Sequence, residues 1–356
     1  MMKKMFFYIN TVGTGGAERV MVNLADFFSE KGYDVTLITS FPVEIEYPVI
    51  PSVRRISLED HRVEQSRIKR NITRITNLRK ICKEEKPDIL ISFMAEPNFR
   101  AVLATRGLPV KLLVSVRNDP NKEYAGIIGG IVGKVLLPMS DGCVFQTRDA
   151  QKWFPQRLQK KSKIIYNAVK SEFYKVVREP VAGEIVTCGR LTEQKNHELL
   201  LRAFSKVVKV HPEATLKIYG DGKLKEQLQH KIIELDLNGK AVLMGATDDV
   251  VNALKTANVF VLSSDYEGMP NALMEAMAAG VPCVATDCPC GGPRELFGDT
   301  SKDRLVPCGN EEILADKICE VLDGKVIDEN QKVCADAFRP EKVNRMWENY
   351  VLEIMA

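Results

Sequence analysis

Glu267 and Glu275, separated by seven residues in the stretch SSDYEGMPNALMEAMAAGVP that begins at Ser263, are the residues whose type and spacing point most directly to chemistry. Glu267 follows the apolar run Val259–Leu262, at the carboxyl end of a predicted strand, where open α/β sheets bind ligands. Pro270 and Gly280 bracket a predicted helix of about nine residues, with Leu273, Ala276 and Met277 on its inner face and Glu275 pointing off it. One carboxylate suits the hydroxyls of a sugar and the other those of a ribose. Taken singly, each also suits an ordinary solvated glutamate. The backbone from Gly268 through Met269 and Pro270 to Asn271 opens that helix and offers an anion cradle.

Three further loops carry matching chemistry. Arg190 and Lys195 lie five residues apart between the run Glu184–Cys188 and a helical pattern at Leu199, Leu200, Ala203, Phe204 and Val207. An arginine fork and a lysine point charge there can converge on a diphosphate, or equally decorate a solvated loop. Near the start, Gly13, Gly15 and Gly16 stand between a strand and a helix, which fits a phosphate turn or a plain tight turn, since the spacing is not G-x-G-x-x-G. Gly291-Gly292-Pro293-Arg294-Glu295 repeats the glycine-turn pattern. Four strand-end loops rich in Gly, Arg, Lys and Glu describe a cleft for a phosphorylated, hydroxyl-rich ligand.

The elements that must position these loops alternate regularly. Short β-rich runs are expected at Met5–Ile9, Val35–Thr39, Asp88–Phe93, Lys111–Val116, Gly142–Gln146 and Lys163–Tyr166. A second set follows at Glu184–Cys188, Thr215–Tyr219, Ala241–Met244, Val259–Leu262 and Pro282–Thr286. Helical patterns between strands imply parallel sheets covered on both faces, and two sets imply two doubly wound domains. The boundaries expected are 1–168 and 169–339, with a helix at 340–356 free to pack back on the first domain.

A chain of 356 residues, 45% hydrophobic and 27% charged, excludes a disordered or small disulfide-stapled protein. Nine cysteines without a C-x-x-C pair argue for reduced thiols in a cytoplasmic protein, and no zinc ribbon. The N-terminal apolar run is too short for a signal peptide, and the stretch Gly126–Met139 too short to span a membrane. Residues 1–170 carry 28 basic against 17 acidic side chains, whereas residues 171–356 carry 22 against 30. The basic half suits a polyanion or an anionic membrane surface.

GTGGAER at the start, GRLTEQKNHELLLRAF, YGDG at 219–222 and EGMPNALMEAMAAGVPCVATD together resemble glycosyltransferase family 4, retaining enzymes of the GT-B fold. The resemblance implies two Rossmann-like domains facing across a cleft, a nucleotide-sugar donor and no resident cofactor. It implies that Glu275 holds the donor ribose, and that Glu267 with the backbone of Gly268 to Asn271 grips the transferred sugar and distal phosphate. Arg190 and Lys195 would neutralise the leaving diphosphate, with the Gly15 and Gly16 amides closing over it, and YGDG with Val242–Gly245 would seat the base. No Asp-x-Asp occurs in the chain, which agrees with metal-independent transfer through preorganised charge. Many members carry a histidine where this chain has Arg117-Asn118-Asp119. Here Asn118 could hydrogen-bond the sugar and Arg117 could hold an acceptor phosphate, while turn chemistry before Pro120 explains Asn118 and Asp119 as well. The only N-terminal histidine is His61.

Residues 61–82 form a basic amphipathic pattern, with Ile68, Ile72, Ile75 and Leu78 on one face among seven Lys and Arg. Such a helix can rest on an anionic leaflet or pack on its own sheet. The expected function is therefore retaining transfer of a hexose or N-acetylhexosamine from a UDP-sugar to a polyprenyl-diphosphate-linked glycan, by an enzyme peripheral to the inner leaflet. Rival readings are a nucleotide-sugar epimerase of the same fold and a noncatalytic nucleotide-sugar-binding scaffold. Nucleic acid is not an expected partner, because no aromatics interleave the basic residues.

Overall fold

The computed structural model describes residues 3–13, 15–60, 66–247, 249–298, 302–325 and 333–356. His61, Arg62 and Thr14 lie outside the described residues. The chain divides into two compact units, Met1–Asn167 with Val343–Ala356, and Ala168–Lys342.

The first unit is a seven-stranded parallel sheet of β1 (Lys4–Ile9), β2 (Asp34–Thr39), β3 (Arg54–Ser57), β4 (Ile89–Phe93), β5 (Lys111–Ser115), β6 (Gly142–Phe145) and β7 (Ser162–Ile164). Their spatial order is β3-β2-β1-β4-β5-β6-β7. Central strands are apolar throughout because helices cover both faces, and β1, β4 and β6 are almost wholly buried. The C-terminal helix Pro340–Met355 belongs largely to this unit. Its Trp347 is fully buried, 5.7 Å from the ring of Phe93. Tyr350 accepts from the Cys143 N–H at 3.1 Å and donates to the Lys161 carbonyl at 2.5 Å. A side chain at Gly142 would collide with that tyrosine, which is why glycine stands there.

The second unit is a six-stranded parallel sheet of β8 (Glu184–Cys188), β9 (Thr215–Tyr219), β10 (Ala241–Gly245), β11 (Val259–Leu262), β12 (Cys283–Thr286) and β13 (Leu305–Val306), in the order β10-β9-β8-β11-β12-β13. The helix His197–Val210 lays Leu199, Leu200, Ala203, Phe204 and Val207 onto β8 and β9, as its apolar spacing predicts. In both units the order reverses beside the first strand, between β1 and β4 and between β8 and β11. Such switch points open a crevice at the carboxyl ends of the strands. The edge strands β3 and β13 are absent from the sequence reading. Arg54–Ser57 is mostly exposed and Leu305–Val306 has two residues, so neither shows an apolar run.

All nine cysteines are free thiols. Among the described residues, no helix is long and apolar enough to cross a membrane.

Candidate active site

The loops that leave β8 and β11, neighbours at the switch point of the second unit, are stitched together by named bonds. The Asp265 N–H donates to the Gln194 carbonyl at 2.9 Å, and Gln194 Nε2 returns a bond to the Tyr266 carbonyl at 2.9 Å. Asn196 Nδ2 donates to Asp265 Oδ1 at 2.8 Å, and the Ser263 hydroxyl to the Lys195 carbonyl at 3.0 Å. Asn196 holds φ of +43°, a left-handed conformation asparagine tolerates, and its side chain caps the following helix at the Leu199 N–H. These contacts fix the β8 loop against the β11 loop before any ligand arrives.

Lys195 and Glu267 meet across that seam. Lys195 Nζ lies 2.5 Å from Glu267 Oε1, with side chains only 15% and 8% exposed. The Ser264 hydroxyl donates to the same oxygen at 2.8 Å. Among the described residues, both recorded bonds fall on Oε1, so Oε2 keeps its capacity to accept from a hydroxyl. Arg190 is exposed on the same loop and makes no salt bridge among the described residues.

The helix after Glu267 spans Asn271–Ala278 with Pro270 at its N-cap, and Gly280, at φ +74°, ends it. Glu275, expected to point off the apolar face, is not a solvated helix glutamate. It is buried with Leu273, Met274, Ala276, Met277 and Ala278, because this helix is enclosed nearly all round. Its charge reaches Cys188 at the end of β8, whose thiol is pushed up to about 12, first by burial and then by Glu275. Gly268, Met269 and Pro270 are buried, and Asn271 is half-buried. Pro270 has no N–H, so it sets the chain direction and contributes no donor to the expected cradle.

Two glycine turns hold these loops at close range. A side chain at Gly220, φ +143°, would overlap the Gly189 carbonyl, and one at Gly292 the Gly268 carbonyl. The Gly189 N–H donates to the Tyr219 carbonyl and the Leu191 N–H to the Asp221 carbonyl, both at 2.9 Å. YGDG is therefore the floor of the Arg190 loop, and the Gly220 N–H ties it to Gly245 at 2.8 Å.

His197 was not among the expected site residues. It is buried at the head of the helix below Lys195, and its pKa is lowered to about 4, by burial first and by Lys195 next. It therefore stays neutral while the loop above it carries positive charge. Its signal was its place directly after Lys195-Asn196, at a helix start.

In the first unit, Gly15 is the N-cap and Gly16 the first residue of the helix Gly16–Glu30. The Glu18 carboxylate curls back against Gly15, where the sequence suggested a phosphate. Beneath this turn Arg100, 1% exposed, donates to Asn10 Oδ1 at 2.7 Å, Glu96 Oε2 at 2.6 Å and Asn71 Oδ1 at 2.8 Å. No motif announced this cluster.

Arg117 is buried under the carboxyl edge, 4.5 Å over the Phe93 ring, and donates to Asn167 Oδ1 and, at 3.5 Å, to Ser115 Oγ. Burial lowers its pKa to about 9, and raises that of neighbouring Glu123 to about 7 against the pull of Arg117. Asn118 Oδ1 accepts from the Asp119 N–H at 2.9 Å, and Asp119 caps Asn121 at 3.0 Å. The turn thus engages both residues. Among the described residues, no group of three His, Cys, Asp or Glu is gathered as a metal site.

Comparison with known proteins matches this pattern to two family models, Glycosyltransferase Family 4 over residues 14–173 and Glycosyl transferases group 1 over residues 175–339. The chain is a family 4 glycosyltransferase. Across 99% of its length it is 28% identical to all of an N-acetylgalactosamine-N,N'-diacetylbacillosaminyl-diphospho-undecaprenol 4-alpha-N-acetylgalactosaminyltransferase of Campylobacter jejuni. An uncharacterized glycosyltransferase of Methanocaldococcus jannaschii is 31% identical over 64% of this chain and 62% of its own length. The glycosyltransferase also shares its fold with the apo lipopolysaccharide outer core galactosyltransferase WaaB, at TM-score 0.79 and 18% identity, over 99% of each chain. HepE of Anabaena, in complex with UDP and glucose, superposes at TM-score 0.77 and 16% identity, over 99% of this chain and all of that one. Both units are thus of the GT-B type expected.

Proposed function

We propose that this glycosyltransferase moves a hexose or N-acetylhexosamine, with retained anomeric configuration and without metal, from a UDP-sugar to a polyprenyl-diphosphate-linked glycan at an anionic membrane surface. The observation that carries the reading is the Lys195–Glu267 pair at the switch point, with exposed Arg190 on the same loop. Two cations there suit the two phosphates of a leaving UDP, and Glu267 Oε2 suits a hydroxyl of the sugar. Buried Glu275, the one charged residue of its helix, suits the ribose hydroxyls. The names of the Campylobacter relatives support the lipid-linked acceptor, and UDP in HepE supports the donor class.

In this reading the bond from the anomeric carbon to the diphosphate lengthens first, and Lys195, Arg190 and the amides opening the Asn271–Ala278 helix take up the charge that gathers on the phosphate. The acceptor hydroxyl then bonds to the same face of the sugar and passes its proton to the leaving phosphate oxygen. Glu267, held by Lys195 and Ser264, orients the sugar and forms no bond to it. Incubation with UDP-sugars and a polyprenyl-diphosphate glycan, with and without EDTA, tests this. Equal rates and a product of unchanged anomeric configuration are expected. An inverted product, or strict dependence on Mn²⁺ or Mg²⁺, would overturn it.

A further inference from the structure

Surface helices ordinarily turn branched apolar side chains inward. The segment Gly126–Leu136, a helix that passes into a π turn at Val132, does the reverse. Two of its glycines, Gly129 and Gly133, face the protein. A side chain at Gly129 would overlap the Tyr124 backbone, and one at Gly133 would sit 2.7 Å from the Trp153 ring. Ile127 and Ile128 are 85% and 78% exposed, Ile131 and Val135 half-exposed.

The basic helix Arg67–Glu85 repeats this arrangement at its own start. Leu78 and Cys82 are buried, but Ile68 and Ile72 are 74% and 60% exposed, among Arg67, Lys69 and Arg70. Only half of its apolar stripe therefore packs on the sheet. The two isoleucine clusters share one face of the unit. In the order β3-β2-β1-β4-β5-β6-β7, the crossovers into β4, β5 and β6 all run in one direction, and right-handed crossovers put their helices on one side. The helix Ala95–Thr105 packs against the segments on both sides of it, and Arg67 pairs with Glu96 at 3.0 Å. Each segment starts at the carboxyl edge of the sheet, so Ile68, Ile72, Ile127 and Ile128 gather toward that edge.

We infer that this face is a bilayer-docking surface, whose isoleucine tips enter the interfacial zone of an anionic leaflet while flanking lysines and arginines engage its headgroups. The inference rests on the lipid-linked acceptor for its purpose, but its geometry is that of the first unit alone. The charge selects the occupant. Exposed Arg67, Lys69, Lys134 and Arg157 would meet their own kind in a two-fold contact between copies, whereas an anionic surface complements them. Paired apolar tips flanked by cations suit a fluid anionic interface better than a folded partner.

The test uses the full chain with vesicles of phosphatidylcholine, alone or mixed with phosphatidylglycerol. The wild type is expected to sediment with the anionic vesicles, with a blue shift in Trp153 emission. Ile127→Asp/Ile128→Asp and Ile68→Asp/Ile72→Asp are each expected to weaken binding at least about tenfold. Their Tm and their binding of UDP should stay unchanged, since these side chains are exposed on the first unit and belong to neither the Lys195 loop nor the Glu267 loop. Loss of UDP binding by the wild type would refute the proposed function and leave the vesicle result standing. Vesicle binding unaffected by both variants would overturn the inference. So would a wild-type dimer that Ile127→Asp/Ile128→Asp converts to a monomer, because a second copy would then cover the face.

Discussion

Replacing Lys195 by Met separates two roles that the Lys195–Glu267 pair combines. At 2.5 Å and with side chains 15% and 8% exposed, the pair is close to fully desolvated. Charges about 4 Å apart attract by about 4 kcal/mol at an effective dielectric near 20, and removing one partner of a buried pair costs about 3–5 kcal/mol. The residual exposure of Lys195 puts Lys195→Met near the lower end, about 3 kcal/mol in denaturant unfolding. Adding Glu267→Gln removes the stranded charge and is expected to restore more than half of that loss. Turnover should behave differently. If Lys195 stabilises the leaving diphosphate, the double variant should run about 10²–10³-fold below Glu267→Gln alone in kcat/KM, measured as UDP release. A double variant that turns over like Glu267→Gln would show that Lys195 serves only to neutralise Glu267, and the leaving-group reasoning would fail.

His197 binds its proton less readily in the folded chain, at a pKa of about 4 against an ordinary 6.5, so it favours folding above the unfolded value and loses that contribution as pH falls from 6.5 toward 4. The loss is about 3 kcal/mol, and a stability-versus-pH slope between those values no shallower in His197→Gln than in the wild type would contradict the assignment. Gly292→Ala drives a methyl into the Gly268 carbonyl, so it should destabilise by about 1–3 kcal/mol and weaken UDP binding in calorimetry. Unaltered UDP affinity would dissociate that loop from the site. Arg100→Met removes the brace beneath the first glycine turn, leaving Asn10 and Asn71 without their donor and Glu96 with Arg67 alone, at an expected cost of about 2 kcal/mol. A cost below about 1 kcal/mol would mean that the arginine braces nothing.

Much of this architecture was legible because buried parallel strands have no polar alternation, and runs such as Val259–Leu262 and Glu184–Cys188 therefore stand out between helical patterns. Strand β3 was not, since Arg54–Ser57 is an edge strand whose one sheet neighbour is β2, and it shows no apolar pattern. The burial of Glu275 could have been read from its neighbours. In ALMEAMAA it is the only charged residue, and a helix apolar all round must be enclosed. The meeting of Lys195 with Glu267 could not, because they lie 72 positions apart in the chain and only the adjacency of β8 and β11 brings their loops together. Arg117 looked like a loop cation available to a phosphate. The sequence held no sign that Phe93 and Asn167 would enclose it, since both come from distant strand ends.

Ligand-observed NMR of the metal-free protein with UDP, GDP and their sugars, repeated on Glu275→Ala, tests the donor site most directly. Binding of the UDP series that disappears in a folded Glu275→Ala variant is the predicted result. Failure of every nucleotide to bind the folded wild type would contradict the account.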